Sequence, residues 1–179
     1  MTSPNLEPVL RRVKPDETGA FNSGAAAAIA IAYVGLASVI AVSLPGPQNS
    51  VKRFFWYRFL SKPKATPPDP VFGLAWPVLE VILVYAGWRL LKTKRSSRRD
   101  TALALLGFNI SQIPGYQAVF FGLRSISGGL VSASLLATGA WSFVASAWSV
   151  DRRAAIAGVP LALWTTFATY LMFGLRRRN

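Results

Sequence analysis

Five long apolar stretches, at 24–44, 71–91, 101–121, 128–149 and 154–175, are separated by short basic connectors, and they constrain this chain more than anything else in it. Each has about 20 residues, the number that a helix rising about 1.5 Å per residue needs to cross a hydrocarbon core of about 30 Å. A soluble bundle needs a polar stripe on every helix, whereas the first and fifth stretches are apolar or small on all sides. The chain therefore reads as an all-α membrane protein, a bundle of five transmembrane helices spanning 24–175. A mobile polar tail at 1–23 precedes it, a proline-rich loop at 45–70 interrupts it, and a basic tail at 176–179 follows.

The 20 Lys and Arg fall almost wholly between the apolar stretches or at the ends. A net charge of +13 also suits a nucleic-acid binder, but no DNA- or RNA-binding motif accompanies it. The basic groups abut helix ends, where anionic headgroups lie, so membrane lipids are the expected partners and nucleic acid is not. With five spans one side of the membrane carries 11 of these charges and the other 9, too even for the positive-inside rule to orient the chain. Histidine and cysteine are both absent. That removes the commonest metal ligand, the commonest general base and any thiolate nucleophile, so hydrolytic catalysis, a metal site and a required cofactor are not expected.

Arg11, Arg12 and Lys14 precede the first stretch, and Ala41 and Ser43 near its end suit a signal-peptide cleavage site. Its apolar run exceeds the roughly 7–15 residues of a signal peptide, so it is read as a retained span. Acidic Glu7, Asp16 and Glu17 argue against an organellar transit peptide. In the long loop, Pro45, Pro47, Pro63, Pro67, Pro68 and Pro70 fix φ and remove donors, which predicts a stiff, extended segment. Its middle, 51–60, mixes aromatic and basic residues and reads as a short interfacial helix, with Phe54, Phe55, Trp56 and Tyr57 at headgroup depth, capping one mouth of the bundle.

Helices in lipid pack through small residues, and three spans carry them every fourth position. These are Gly107, Ser111 and Gly115 on the third span, Ser134, Thr138, Ser142 and Ser146 on the fourth, and Ala154, Gly158, Ala162 and Thr166 on the fifth. The last two stripes are read as packing within the bundle. The first serves either that packing or self-association.

Glu80 is the ionisable residue that lies deep in a span. A carboxylate near the bilayer centre costs about 2.5–3.5 kcal/mol on insertion scales, so it faces a cavity or a partner. It is expected to be protonated, hydrated or hydrogen-bonded to Asn109, Gln112 or Tyr116. Two roles stay open: contact with a ligand or coupling of binding to pH, and a purely structural hydrogen bond. Trp76 lies four residues before Glu80 and shares its face, placing an aromatic wall beside a polar handle as a cleft for apolar ligands requires. For Trp76 and Trp164 the alternatives are core packing or an interfacial belt, which is also how Trp88, Trp141 and Trp148 read. Pro114 and Gly115 precede Tyr116 and Gln117, where a kink opens a pocket or the helix packs in the ordinary way.

From Trp56 the chain reads Trp56-Tyr57-Arg58-Phe59-Leu60-Ser61-Lys62-Pro63, then Pro67-Pro68, then Val71-Phe72-Gly73-Leu74-Ala75-Trp76-Pro77-Val78-Leu79. This resembles the tryptophan-rich sensory protein/translocator protein family, which includes TspO and the peripheral-type benzodiazepine receptor. Its hallmark is W-Y-x-x-L-x-K-P-x-x-x-P-P followed by F-G-x-x-W-x-x-L-Y. Further matches are Phe120-Phe121-Gly122-Leu123-Arg124, and Val159-Pro160 with Trp164, Phe167 and Ala168, so the resemblance runs from about residue 56 to 172.

The resemblance implies five helices around a cavity for flat hydrophobic molecules such as porphyrins and sterols, with the loop after the first helix as a lid. It implies a ligand site of Trp76, Leu79, Glu80, Tyr116, Trp164, Phe167 and Ala168, and a lid of Trp56, Tyr57, Lys62, Pro63, Pro67 and Pro68. It also implies a homodimer through the third helix at Gly107, Ser111 and Gly115, a bound tetrapyrrole, lipid or sterol, and a bacterial envelope or organellar membrane such as the mitochondrial outer membrane. The chain departs from the family at polar and aromatic positions. Glu80 stands at a Tyr, Ser132 at a common acidic position, Met172 at an Asn, and Ala65 and Pro70 at lid tryptophans. Ile113 and Tyr116 stand at the third helix's Asn and Trp, with Asn109 one turn earlier. A cavity of family shape and altered polarity follows, and with it three functions: a receptor or carrier for transport or sensing, a light-dependent porphyrin-modifying protein, and a membrane scaffold with a diverged pocket.

Overall fold

The computed structural model describes residues 15–44, 46 and 50–179. Residues 1–14 of the expected tail, and Pro45 and Pro47 of the expected loop, lie outside the described residues. Among the described residues all regular structure is helical: α1 (Ser23–Ser43), α2 (Val51–Phe59), α3 (Asp69–Leu91), α4 (Ser97–Gln117), α5 (Ile126–Trp148) and α6 (Arg152–Arg176). A π-helical turn, Ala118–Gly122, prolongs α4.

Local chemistry fixes the helix starts. Four helices leave N–H groups that a preceding side chain satisfies: Asn22 accepts from Ala25, Ser96 from Arg99, Ser125 from Gly128 and Asp151 from Ala154. The Ser96 cap starts α4 four residues before the expected 101, and Asp100 in its first turn favours that N-terminus. Pro68 precedes α3, and Pro70 lies in its first turn, where a missing donor costs nothing.

The helices α1, α3, α5 and α6 are long and apolar enough to cross a membrane. Although α4 has the length, Asn109, Gln112 and Gln117 make it more polar. The five long helices pack in a ring, α1 to α3 to α6 to α5 to α4 and back to α1. Leu83 and Leu90 of α3, Phe143 of α5 and Leu161 of α6 are fully buried in the apolar cluster where they meet.

The most extensive contact is α5 on α6. A Cβ on Gly158 would stand 2.6 Å from the Phe143 ring, so only glycine allows this approach. The α6 stripe behaves as expected at Ala154, Gly158 and Ala162, which are buried, but Thr166 faces outward. The α5 stripe is a correction: Thr138 and Ser142 are exposed, and the packing face is Gly129, Ala133, Ala140 and Ala147 with Leu136 and Phe143. The physical reason is that the hydroxyls bond to carbonyls of their own helix, Ser134 to Leu130 and Thr138 to Ser134, so they face outward at little cost while the larger apolar groups go inside.

The end of the polar segment, read as part of a mobile tail, is docked. Phe21 N–H donates to the Leu91 carbonyl (3.0 Å) and Arg95 N–H to that of Thr18 (2.9 Å). The buried Arg99 guanidinium donates to the carbonyls of Gly19 (2.7 Å) and Thr93 (2.8 Å). Gly19 has φ +74°, and a Cβ there would meet Arg95 at 2.6 Å. At the same end Arg89 of α3 grips Asp151, the cap of α6, at 2.7 Å. Burial raises the Asp151 carboxyl's pKa, but the Arg89 and Ala154 hydrogen bonds and the Arg89 charge hold it below the ordinary value.

Candidate functional site

At the opposite end, the short helix expected at 51–60 is present as α2, and its aromatic residues pack on the turn that prolongs α4. Trp56 packs on Phe120 (5.3 Å between centroids), Tyr57 packs on Phe121 (5.5 Å), and Tyr116 stacks on Phe120 from below (5.5 Å). Phe120 is thus the hub of a second apolar cluster that includes Ala133, Met172 and Leu175. The Lys62 ammonium sits 3.6 Å over the Tyr57 ring. Burial, and then the Asp69 carboxylate beside it, push the Tyr57 phenol up to about 12. Burial pulls Lys62 below the ordinary lysine value.

The loop after α2 is extended, with a turn closed by Thr66 N–H donating to the Pro63 carbonyl (3.0 Å). Pro63 lies on Gly174 of α6, where a Cβ would come within 2.7 Å of its ring. The Asn179 side chain accepts from Ser61 N–H (2.9 Å) and donates to the Ser61 carbonyl, so the basic segment after α6 is tied to the loop. Pro67 is half-buried and Pro68 exposed.

Below the lid, Phe72, Trp76 and Glu80 recur every fourth residue along α3 and are half-buried. Of these, Phe72 contacts Trp164 of α6 (5.6 Å), which in turn contacts Phe167 (6.1 Å). Trp76 and Trp164 both pack against the central apolar cluster, Leu79 is buried within it, and Ala168 is half-buried. No ring contact joins Trp76 to Trp164 among the described residues. Sequence reasoning left Phe72 out of the site, although its spacing from Trp76 was the available signal.

Glu80 has no hydrogen bond or ion pair among the described residues, so the expected bonds to Asn109, Gln112 or Tyr116 are not made. Tyr116 instead bonds the Met172 sulfur (3.3 Å), which places it in the floor beneath the lid. Asn109 donates to the carbonyl of Leu105 on its own helix (2.8 Å), and its buried Oδ1 has no partner among the described residues. Pro114 is buried within α4.

On the expected dimer face, Gly107 and Ser111 already hold a side chain of their own chain. The Tyr33 hydroxyl reaches the Gly107 carbonyl (3.1 Å) and the Ser111 hydroxyl (2.8 Å), and Gly115 is half-buried. Trp88 donates to Ser23 (3.2 Å) and carries Lys92 over its ring. Trp141 donates to Thr166 (3.0 Å), and Trp148 lies exposed beneath Arg152. Two surface recesses flank the bundle, about 420 Å³ beside Pro63, Tyr170 and Arg177, and about 370 Å³ between α1, α3 and α4; neither is lined by Trp76 or Trp164.

Apolar helices of membrane-crossing length, packed through small residues and joined at one end by an aromatic cluster, define an integral membrane protein. The model of the TspO/MBR family matches residues 26–178, and the chain belongs to that family. It is 30% identical over 146 residues to the tryptophan-rich protein TspO of Chlorobaculum tepidum, covering 78% of this chain and 90% of that protein. It is 32% identical over 128 residues to the tryptophan-rich sensory protein of Cereibacter sphaeroides, covering 69% and 77%. Protein CrtK of Rhodobacter capsulatus is 30% identical over 127 residues, covering 69% and 78%.

Proposed function

We propose that this protein is a membrane receptor or carrier that takes up a flat hydrophobic molecule, of tetrapyrrole or sterol type, between α3 and α6 beneath the lid, for sensing or transport. The observation that carries this reading is Glu80, a half-buried carboxylate without a partner among the described residues, on the stripe that also bears Trp76 and Phe72, of which Phe72 contacts Trp164. An unpaired carboxylate at this depth is costly unless a ligand donor or water meets it. The relatives named as sensory and tryptophan-rich proteins support the same reading.

In this reading α4 is the fifth span. It closes the ring between α5 and α1, and its Asn109 is buried among its neighbours. A homodimer through α4 must accommodate Tyr33, which already lies on Gly107 and Ser111. No reaction is assigned to the protein; chemistry under illumination would be the pigment's own.

Titration of the detergent-purified protein with protoporphyrin IX is expected to quench tryptophan fluorescence saturably. Trp76→Phe with Trp164→Phe is expected to remove the saturable component, and Glu80→Gln to change affinity. Saturable quenching that persists unchanged in the double variant would place the ligand elsewhere.

A further inference from the structure

The recess of about 370 Å³ opens between α1 and α4, with Leu83, Gly87 and Leu91 of α3 as its third side. Small residues make the room: Ala30, Gly87, Ala104 and Gly107 stand where larger side chains would fill the gap. From Leu83 to Leu91 it runs about 12 Å along α3 at 1.5 Å per residue. Tyr33 bars its inner end, with its hydroxyl on Gly107 and Ser111. That residue is ten positions into α1, about 15 Å from the helix start and hence near the bilayer centre.

The outer end of the recess reaches Leu91, where α3 passes into its connector with α4. Lys92, Lys94, Arg95 and Arg98 are exposed there. The acidic groups at this end, among the described residues, are Asp16, Glu17, Asp100 and Asp151, the last held by Arg89. Asp100 is paired with Arg95 and Arg99, and Asp16 accepts from Thr18 and Ala20. Lys94 and Arg98 have no ion-pair partner among the described residues.

An apolar recess does not hold water, and in a membrane its wall faces lipid chains. A long apolar slot whose interfacial mouth carries unpaired cations complements one molecule in particular, an acyl chain below an anionic headgroup. We propose that this recess is a binding site for an anionic phospholipid, with one acyl chain lying between α1 and α4 down to Tyr33 and the phosphate held by Lys94 and Arg98. The site is separate from the one assigned to Trp76 and Trp164.

The test is native mass spectrometry of the full chain released from vesicles of equal phosphatidylglycerol and phosphatidylcholine. The unaltered chain is expected to retain phosphatidylglycerol preferentially. Lys94→Gln with Arg98→Gln should lower that preference about fivefold for each charge removed. Ala104→Trp, at an exposed position, should abolish it by filling the slot. Arg177→Gln with Arg178→Gln, at the other end of the bundle, should leave it unchanged, as should Trp76→Phe with Trp164→Phe. Equal retention of the two lipids by the unaltered chain overturns the proposal. So does a preference that survives either recess variant, or one that is lost on changing Arg177 and Arg178.

Discussion

Asp151 does two jobs at once, capping α6 through Ala154 and gripping Arg89 of α3. Its folded-state pKa lies below the ordinary value, so the stability it contributes is fully present above the unfolded value, about 3.9, and is lost as pH falls through the lowered one. Thermal unfolding in detergent is expected to show no change from this group between pH 7 and 5 and a loss below about pH 4, and Asp151→Asn should blunt that acid-dependent loss. At neutral pH Asp151→Ala should cost about 1–2 kcal/mol through the cap alone. Glu80 predicts the opposite sign. With no partner to lose, Glu80→Leu should stabilise the protein, by up to about 2.5–3.5 kcal/mol, while weakening ligand uptake. A destabilised Glu80→Leu protein would show that the carboxyl holds the fold. The sequence singled out Glu80 because a charge in an apolar run is visible without coordinates, but the lack of a partner was not, since it depends on where Asn109 and Tyr116 point.

Among the elements, α5 and α6 form the most closely packed pair and α2 the most detachable part. Gly158→Val is expected to destabilise by about 1–3 kcal/mol, because its Cβ collides with Phe143, itself locked in the core; the shift in unfolding midpoint measures it. The lid rests on ring contacts to Phe120 and Phe121, and Trp56→Ala removes the largest of these side chains. Trypsin should then cut after Lys64, which precedes Ala65, faster than in the parent protein, with the bundle left intact. The existence of the long helices and of the short α2 was legible because apolar length and aromatic-basic alternation are local properties. Which stripe of α5 packs was not legible, because serine and threonine bond their own helix and suit an outward face as well as an inward one.

For the whole molecule, the proposal that α4 is a fifth span puts the loop after α2 and the α3–α4 connector on opposite sides of the membrane. The chain has no cysteine, so single cysteines at Ser61, Ser97, Ser125 and Ser149 report sidedness without background. An impermeant maleimide is expected to label Ser61→Cys and Ser125→Cys from one side and Ser97→Cys and Ser149→Cys from the other. Labelling of positions 97 and 125 from the same side would mean that α4 does not cross.

The sequence by itself determined the helical class, the number and approximate bounds of the long helices, and the family. These follow from hydropathy, spacing and short motifs, which act over a few residues. Only the tertiary structure decided that residues 16–22 dock under Arg99, that Tyr116 serves the lid's floor, and that Tyr33 bars a recess between α1 and α4. Each of these joins residues far apart in the chain, where packing distance, rather than local preference, selects the partner.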